Sequence, residues 1–239
     1  HTLRTGTWKK IGSSGHDVSS YASMVAPLSA SGSSVGGPTT DIAPLIPFLA
    51  SRDIGLVLDI GAGSGAFAAG LRRCGYAQRI VSMEPMRERY ATLRSGAWAD
   101  PAWETVQCAM GDKDGIIELE GPQEQRRETE DVVMSRISTL LPAFRTGQEP
   151  VLVRINVPGR ELEILHGART VMEHIAAFHF HVSLQSDPSG ISALDDLTRT
   201  MQSVSYECVA ITPGAMDLST GTMRHAGVTF ARPATVMPA

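Results

Sequence analysis

Val57 Leu58 Asp59 Ile60 Gly61 Ala62 Gly63 Ser64 Gly65 Ala66 is an apolar run that ends in an acid and then opens into three glycines. Residues 56–60 have the length and composition of a buried strand, and residues 66–74 carry Phe67, Leu71 and Cys74 at helical spacing. The glycines therefore fall at a strand-to-helix turn. Such a turn aims backbone N–H groups and the positive end of a helix dipole at a bound anion or polar group, and glycine lets that ligand approach the backbone closely. Gly61, Ala62, Gly63 and Gly65 are the expected contacts. Gly61, Gly63 and Ala66 also satisfy a dinucleotide pattern with alanine in third place, so the glycines alone do not separate one nucleotide-like cofactor from another.

The flanking acids narrow the choice. Asp59, two residues before the first glycine, would crowd a pyrophosphate with like charge, whereas it suits the ammonium group of S-adenosylmethionine. Residues 79–83 read as a second strand closed by Glu84, about 20 residues after the glycines, where a Rossmann-like fold places the acid that accepts both ribose hydroxyls. Residues 105–110 read as a third strand ending in Gly111 Asp112. Asp112 is either a contact for the adenine edge or a turn aspartate within Gly Asp Lys Asp Gly.

The chain of 239 residues suits a single α/β domain with decoration. Its net charge of -4 is made of interspersed acids and bases, which argues against a nucleic-acid surface; the mixed cluster at residues 126–131 reads as a solvated loop. Cys74, Cys108 and Cys208 match no zinc or redox spacing and read as buried small hydrophobes, in keeping with a reducing cytoplasm. No apolar run reaches the roughly 20 residues needed to span a bilayer, and the start lacks a secretory pattern.

Residues 1–40, rich in Ser, Gly and Thr, read as a flexible N-terminal segment; Tyr21, Met24, Val25 and Leu28 at helical spacing would allow a short lid helix beside the cofactor. Residues 41–239 then form one domain. A helix over 41–50 is expected, capped by Thr40 or Asp41 with Pro44 in its first turn. From residue 56 strands and helices alternate, which predicts a mostly parallel sheet with helices on both faces. Short strands at 115–120 and 132–135 and a short helix at 138–144 interrupt the alternation. After them come a strand at 151–157, a helix at 161–168, a strand at 176–184, a helix at 191–203, and strands at 206–211 and 223–231. The last two lack an intervening helix and predict a terminal antiparallel hairpin.

That order, with the turn at 59–65 and Glu84, resembles the class I methyltransferases. The segment Val153 Arg154 Ile155 Asn156 Val157 Pro158 Gly159 Arg160 Glu161, running into a helix that ends Gly167 Ala168, is similar to the hallmark of the FkbM family: Lys, Ile, Asp, Val, Glu, Gly, any residue, Glu. Residues 109–115 and 136–140 also resemble family segments. The resemblance spans about residues 55–185. It implies a Rossmann-like fold and S-adenosylmethionine-dependent O-methylation, commonly of a hydroxyl on a saccharide or glycosylated natural product. Three carboxylates of the family pattern are replaced, by Asn156, by Pro158 and, in the next strand, by His181.

Methyl transfer requires the accepting oxygen in line behind the methyl group and a group to take its proton. In Phe178 His179 Phe180 His181 Val182 the alternation puts both histidines on one face of a strand, and His181 lies nearer the carboxyl end, where open α/β sheets hold their ligands. His181 is the first candidate base, against the bland alternative of a hydrogen-bonded structural histidine. Asn156, at another carboxyl strand end, can hold a hydroxyl by donating and accepting. Glu161 is either functional or a helix-start residue favoured by the dipole. Asp187 lines a pocket mouth or starts a turn, and His16 and His225 lack a supporting pattern. A divalent metal is conceivable but no tight ligand cluster assigns one. The expected partner is a small-molecule or oligosaccharide acceptor, with a homo-oligomer open. The competing readings are an NAD(P)-dependent oxidoreductase and a degenerate module that binds cofactor without catalysis.

Overall fold

The computed structural model describes residues 9–10, 42–120, 129–184, 193–214, 216–217, 220, 222–223 and 225–233. The proposed lid helix, the cap at Thr40 or Asp41, residues 126–128 of the mixed-charge cluster, Asp187 and His16 lie outside the described residues.

In chain order the strands are β1 (Lys9–Lys10), β2 (Leu56–Ile60), β3 (Arg79–Met83), β4 (Trp103–Val106), β5 (Ala109–Met110), β6 (Gly115–Glu120), β7 (Thr129–Ser135), β8 (Val151–Ile155), β9 (Ile175–Ser183), β10 (Glu207–Pro213), β11 (Met216–Asp217), β12 (Thr222–Met223) and β13 (His225–Ala231). The helices are α1 (Leu45–Ser51), α2 (Ala66–Arg73), α3 (Arg87–Ala97), α4 (Ile137–Phe144), α5 (Glu161–Ala168) and α6 (Ala193–Ser203). Seven strands form the main sheet in the order β10-β13-β9-β8-β2-β3-β4. Its five strands from β9 to β4 are parallel, and β13 pairs antiparallel with both β9 and β10, which is the terminal hairpin expected from the missing helix.

Strand alternation sorts the core into two layers. Leu56, Leu58, Ile60, Val153, Ile155, Phe178 and Phe180 face α4, α5 and α6. Val57, Ile80, Leu152 and Ala177 face α1, α2 and α3, against Leu45, Leu49, Leu71 and Leu93. Both faces are covered, so central strands such as β2 are buried at every position.

Three expectations change. The single strand at 105–110 is two strands: β4 closes the main sheet, and beyond Gln107 and Cys108 the chain enters a second sheet, β1-β6-β7-β5. An extended run gives no sign of where its hydrogen-bonding partner changes. The first helix begins at Leu45, with Pro44 as its N-cap residue, later than the capping signals imply. Cys108 is buried, but Cys74 is half-buried and Cys208 is exposed on β10, an edge strand whose register shifts between Cys208 and Ala210.

Candidate functional site

The three glycines of the turn all have positive φ, but for different reasons. A Cβ on Gly61 would strike the backbone oxygen of Asn156 and come within 2.8 Å of Val157 Cγ2, because the end of β8 packs directly on the turn. A Cβ on Gly65 would meet Leu93 and Trp103 at 2.9 and 3.0 Å. Gly63, at φ +59°, has nothing within 4 Å of that position. The space a side chain would fill there is open, which leaves room for a ligand against the turn where β2 hands over to α2.

Glu84 lies beside Gly63. Gly63 N–H donates to Glu84 Oε2 at 2.8 Å and Met86 N–H to Oε1 at 3.0 Å. Burial pushes the Glu84 carboxyl upward, opposed by those two N–H groups and by Arg89, while Asp59 adds to the rise. The carboxylate is thus fixed at both oxygens, each with a lone pair left for a further donor. A pair of vicinal hydroxyls suits it.

Asp59 is fully buried and already partnered. Arg154, its neighbour in register on β8, donates from Nη1 to Asp59 Oδ1 at 2.7 Å; Ser82, its neighbour on β3, donates to Oδ2 at 3.2 Å and accepts from Trp103 Nε1 at 2.9 Å. The Arg154 guanidinium also lies over the Phe67 ring, 4.5 Å from its centroid. The row continues across the sheet: Arg154 pairs in register with His179, which stacks on Phe67 and shares a 2.9 Å hydrogen bond between Nδ1 and Thr229 Oγ1. Burial, with Arg154 and His181 adding to it, lowers the His179 pKa to about 3, so this imidazole is neutral. Arg154 and His179 are the residues sequence reasoning passed over. Their signal was the alternation that places them in line with Asp59 on one face.

Two residues further along the strands stand Glu84, Gly61, Asn156 and His181, which form the carboxyl rim of the sheet above the buried row. Asn156 N–H donates to Ile60 O at 2.9 Å and ties β8 to the turn. His181 is half-buried, and its ring stacks on that of His225, with centroids 5.2 Å apart and planes 13° from parallel. Phe178, Phe180 and Val182 point to the opposite face, into the layer that meets α4 to α6.

Glu161 begins α5 and is buried; burial raises its carboxyl, while the backbone N–H groups of Glu161, Gly159 and Arg160 favour its charged form. Asp112, expected at the adenine edge or in a turn, stands apart: it follows β5 on the second sheet, exposed, with Lys113 Nζ at 3.8 Å, and no described contact joins it to Glu84 or the glycine turn. Gln107, at the end of β4, is nearer the acid: its Nε2 donates to Pro85 O at 3.3 Å. Among the described residues no three His, Cys, Asp or Glu side chains converge as a metal site, and no helix is long and apolar enough to cross a membrane.

The sequence matches the methyltransferase FkbM domain over residues 59–208, more than half of its length. The chain belongs to the FkbM methyltransferase family. No curated protein matches this member. Solved structures are similar to it at low identity. M. capricolum TrmK, in complex with S-adenosyl-homocysteine, superposes with a TM-score of 0.50 at 9% identity, covering 79% of this chain and 67% of that one. A precorrin-6y C5,15-methyltransferase from Geobacter metallireducens gives 0.47 at 12% identity, covering 80% and 87%. An rRNA methylase from Streptococcus thermophilus gives 0.47 at 10% identity, covering 80% and 96%. The FkbM member is therefore a methyltransferase on a Rossmann-like scaffold, and its family segment at 154–161 is the strand end and helix start that pack on the glycine turn.

Proposed function

We propose that this FkbM methyltransferase takes S-adenosylmethionine as methyl donor and methylates a hydroxyl of a saccharide or glycosylated natural product. The observation that carries the donor is the open space at Gly63 next to the Glu84 carboxylate, which Gly63 and Met86 N–H groups anchor at both oxygens; this suits a ribose diol seated against a glycine turn. When bound, the donor supplies an electrophilic methyl group on sulfur. Glu84 accepts the ribose hydroxyls, and Gly61, Ala62 and Gly65 shape the turn around it. Asp59 acts through Arg154 and Ser82, holding β2 and β8 in register beneath the turn. Asn156 orients the acceptor hydroxyl at the rim. His181 would take the proton that the acceptor hydroxyl gives up on methylation. Glu161 stabilises the start of α5, and Asp112, exposed beside Lys113, is left to its turn.

The acidic net charge and the mixed signs of the surface favour a small or oligosaccharide acceptor over nucleic acid. A second reading, cofactor binding without transfer, draws on Asn156, Pro158 and His181 standing where the family pattern has carboxylates. Calorimetry of the full chain with S-adenosylhomocysteine and with NAD tests the donor: binding of the former alone is expected, and binding of NAD alone would return the oxidoreductase reading. Labelled methyl transfer to a panel of mono- and oligosaccharides tests the rest. Tight S-adenosylhomocysteine binding with transfer to no hydroxyl compound would favour the non-catalytic module.

A further inference from the structure

The two sheets meet at the turn that presents Glu84. Glu84 N–H donates to Val106 O at 3.2 Å, so β4 fixes the start of that turn. Pro85, Met86 and Arg87 follow, and Arg87 is the first residue of α3. Pro85 has no N–H, and its C=O accepts from Gln107 Nε2 at 3.3 Å. Met86 is the N-cap residue of α3, yet its side chain has no oxygen to offer the free N–H groups at the helix start. Glu130 supplies one from outside: its Oε2 accepts from Arg87 N–H at 3.2 Å. In the sequence Glu130 falls in the mixed-charge cluster expected to be a solvated loop, but it lies half-buried on β7 of the second sheet. Gln107 stands where the chain passes from β4 of the main sheet to β5 of the second.

We propose that Gln107 and Glu130 are positioning residues for the methyl donor: they hold the turn at 85–87 so that Met86 N–H meets Glu84 Oε1 and the carboxylate keeps one orientation toward the ribose diol. This rests on the reading of Glu84 as the acceptor of the ribose hydroxyls. Glu84 is only 3% exposed, so an oxygen that leaves its N–H partner finds little water to replace it. Gly63 N–H, which anchors Oε2, belongs to a turn whose shape is already set by the packing of Gly61 and Gly65. Met86 N–H, which anchors Oε1, depends on the turn at 85–87. Gln107 grips the C=O just before Met86 and Glu130 the N–H just after it, so the two tethers bracket the anchoring group. With either tether cut, Met86 N–H drifts and the carboxylate is held firmly at one oxygen alone. Its lone pairs then spread over several orientations, and few of these meet two vicinal hydroxyls at once. The loss therefore falls on recognition of the diol, although neither tether touches the donor. Glu130 serves as a hydrogen-bond acceptor, a role that a glutamine oxygen fills equally well.

The test is calorimetry of the full chain with S-adenosylhomocysteine and with its deoxyribose counterpart, which lacks one of the two hydroxyls. The wild type should prefer the ribose form by about tenfold, the worth of one hydrogen bond to a charged group. Glu130→Met and Gln107→Met keep the length of each side chain but remove its hydrogen bond to the turn. Each should cut the preference to about threefold or less, mainly by weakening the ribose form. Glu130→Gln should keep the wild-type preference, since it keeps the acceptor. Glu130→Ala and Gln107→Ala, read in the same way, serve if a methionine variant fails to fold. A residue with a merely structural role would lower Tm and weaken both ligands alike; a preference left at its wild-type value in the methionine variants would overturn the proposal. The reading of Glu84 is judged separately, in the wild type: equal binding of the two ligands there would withdraw Glu84 as the diol acceptor, and the tethers with it.

Discussion

Gly61 and Gly63 are two residues apart and share a left-handed backbone, yet they answer to different constraints. Gly61→Ala pushes a methyl group into the backbone of Asn156 and should cost about 3 kcal/mol of stability, read as a fall in Tm. Gly63→Ala meets only the strain of its positive φ, about 1–2 kcal/mol, but fills the open side of the turn. S-adenosylhomocysteine affinity in calorimetry should therefore drop more for Gly63→Ala than its stability loss suggests; unaltered affinity would place the ligand elsewhere. The same scale governs Asp59 and Arg154. Their ion pair is almost wholly out of water, so Arg154→Met leaves a buried carboxylate with only Ser82 as partner and should cost about 3–5 kcal/mol in urea unfolding. Arg154→Lys keeps the charge and should recover part of the loss. A loss under about 1 kcal/mol in Arg154→Met would show that the ion pair adds little to stability.

At the scale of elements, the buried row links β3, β2, β8, β9 and β13 through Ser82, Asp59, Arg154, His179 and Thr229. Each member sits two residues along its strand from a residue of the apolar layer that meets α1 to α3, namely Ile80, Val57, Leu152, Ala177 and Ala231. His179 gives this row a pH signature. Its folded pKa of about 3 lies below the ordinary 6.5, so between those values the unfolded chain binds a proton that the folded chain refuses. Stability should thus rise with pH through that window and be lost as pH falls from about 6.5 toward 3. His179→Gln, which has no proton to gain, should flatten that slope in denaturant titrations at successive pH values; an unchanged slope would assign it to other groups. Strand existence was legible from alternation and helix α2 from its spacing, but α3 carried no clear apolar stripe: only Leu93 and Ala97 of its residues are buried. The change of sheet after Val106 was hidden for a related reason, because hydrogen-bonding partners are tertiary facts.

At the scale of the whole molecule, a second sheet stands beside the main one, and its outer strand β1 comes from the N-terminal region, with Lys9 opposite Glu118 on β6. Deleting residues 1–35 removes that strand along with the segment proposed as a lid. Transfer to the acceptor should suffer more than Tm, since the main sheet and both of its helical layers remain; kinetics equal to those of the full chain would refute a role at the acceptor. The scaffold and the residues of the candidate site were legible in one dimension, because the glycine turn, the acid after β3 and the segment at 154–161 are local patterns set by neighbours in sequence. The partners of those residues were not. That Asp59 is spent on Arg154, that His179 is buried and neutral, and that His225 stacks on His181 all depend on strand register across the sheet. Residues far apart in the chain become neighbours there, and only the folded structure decides which.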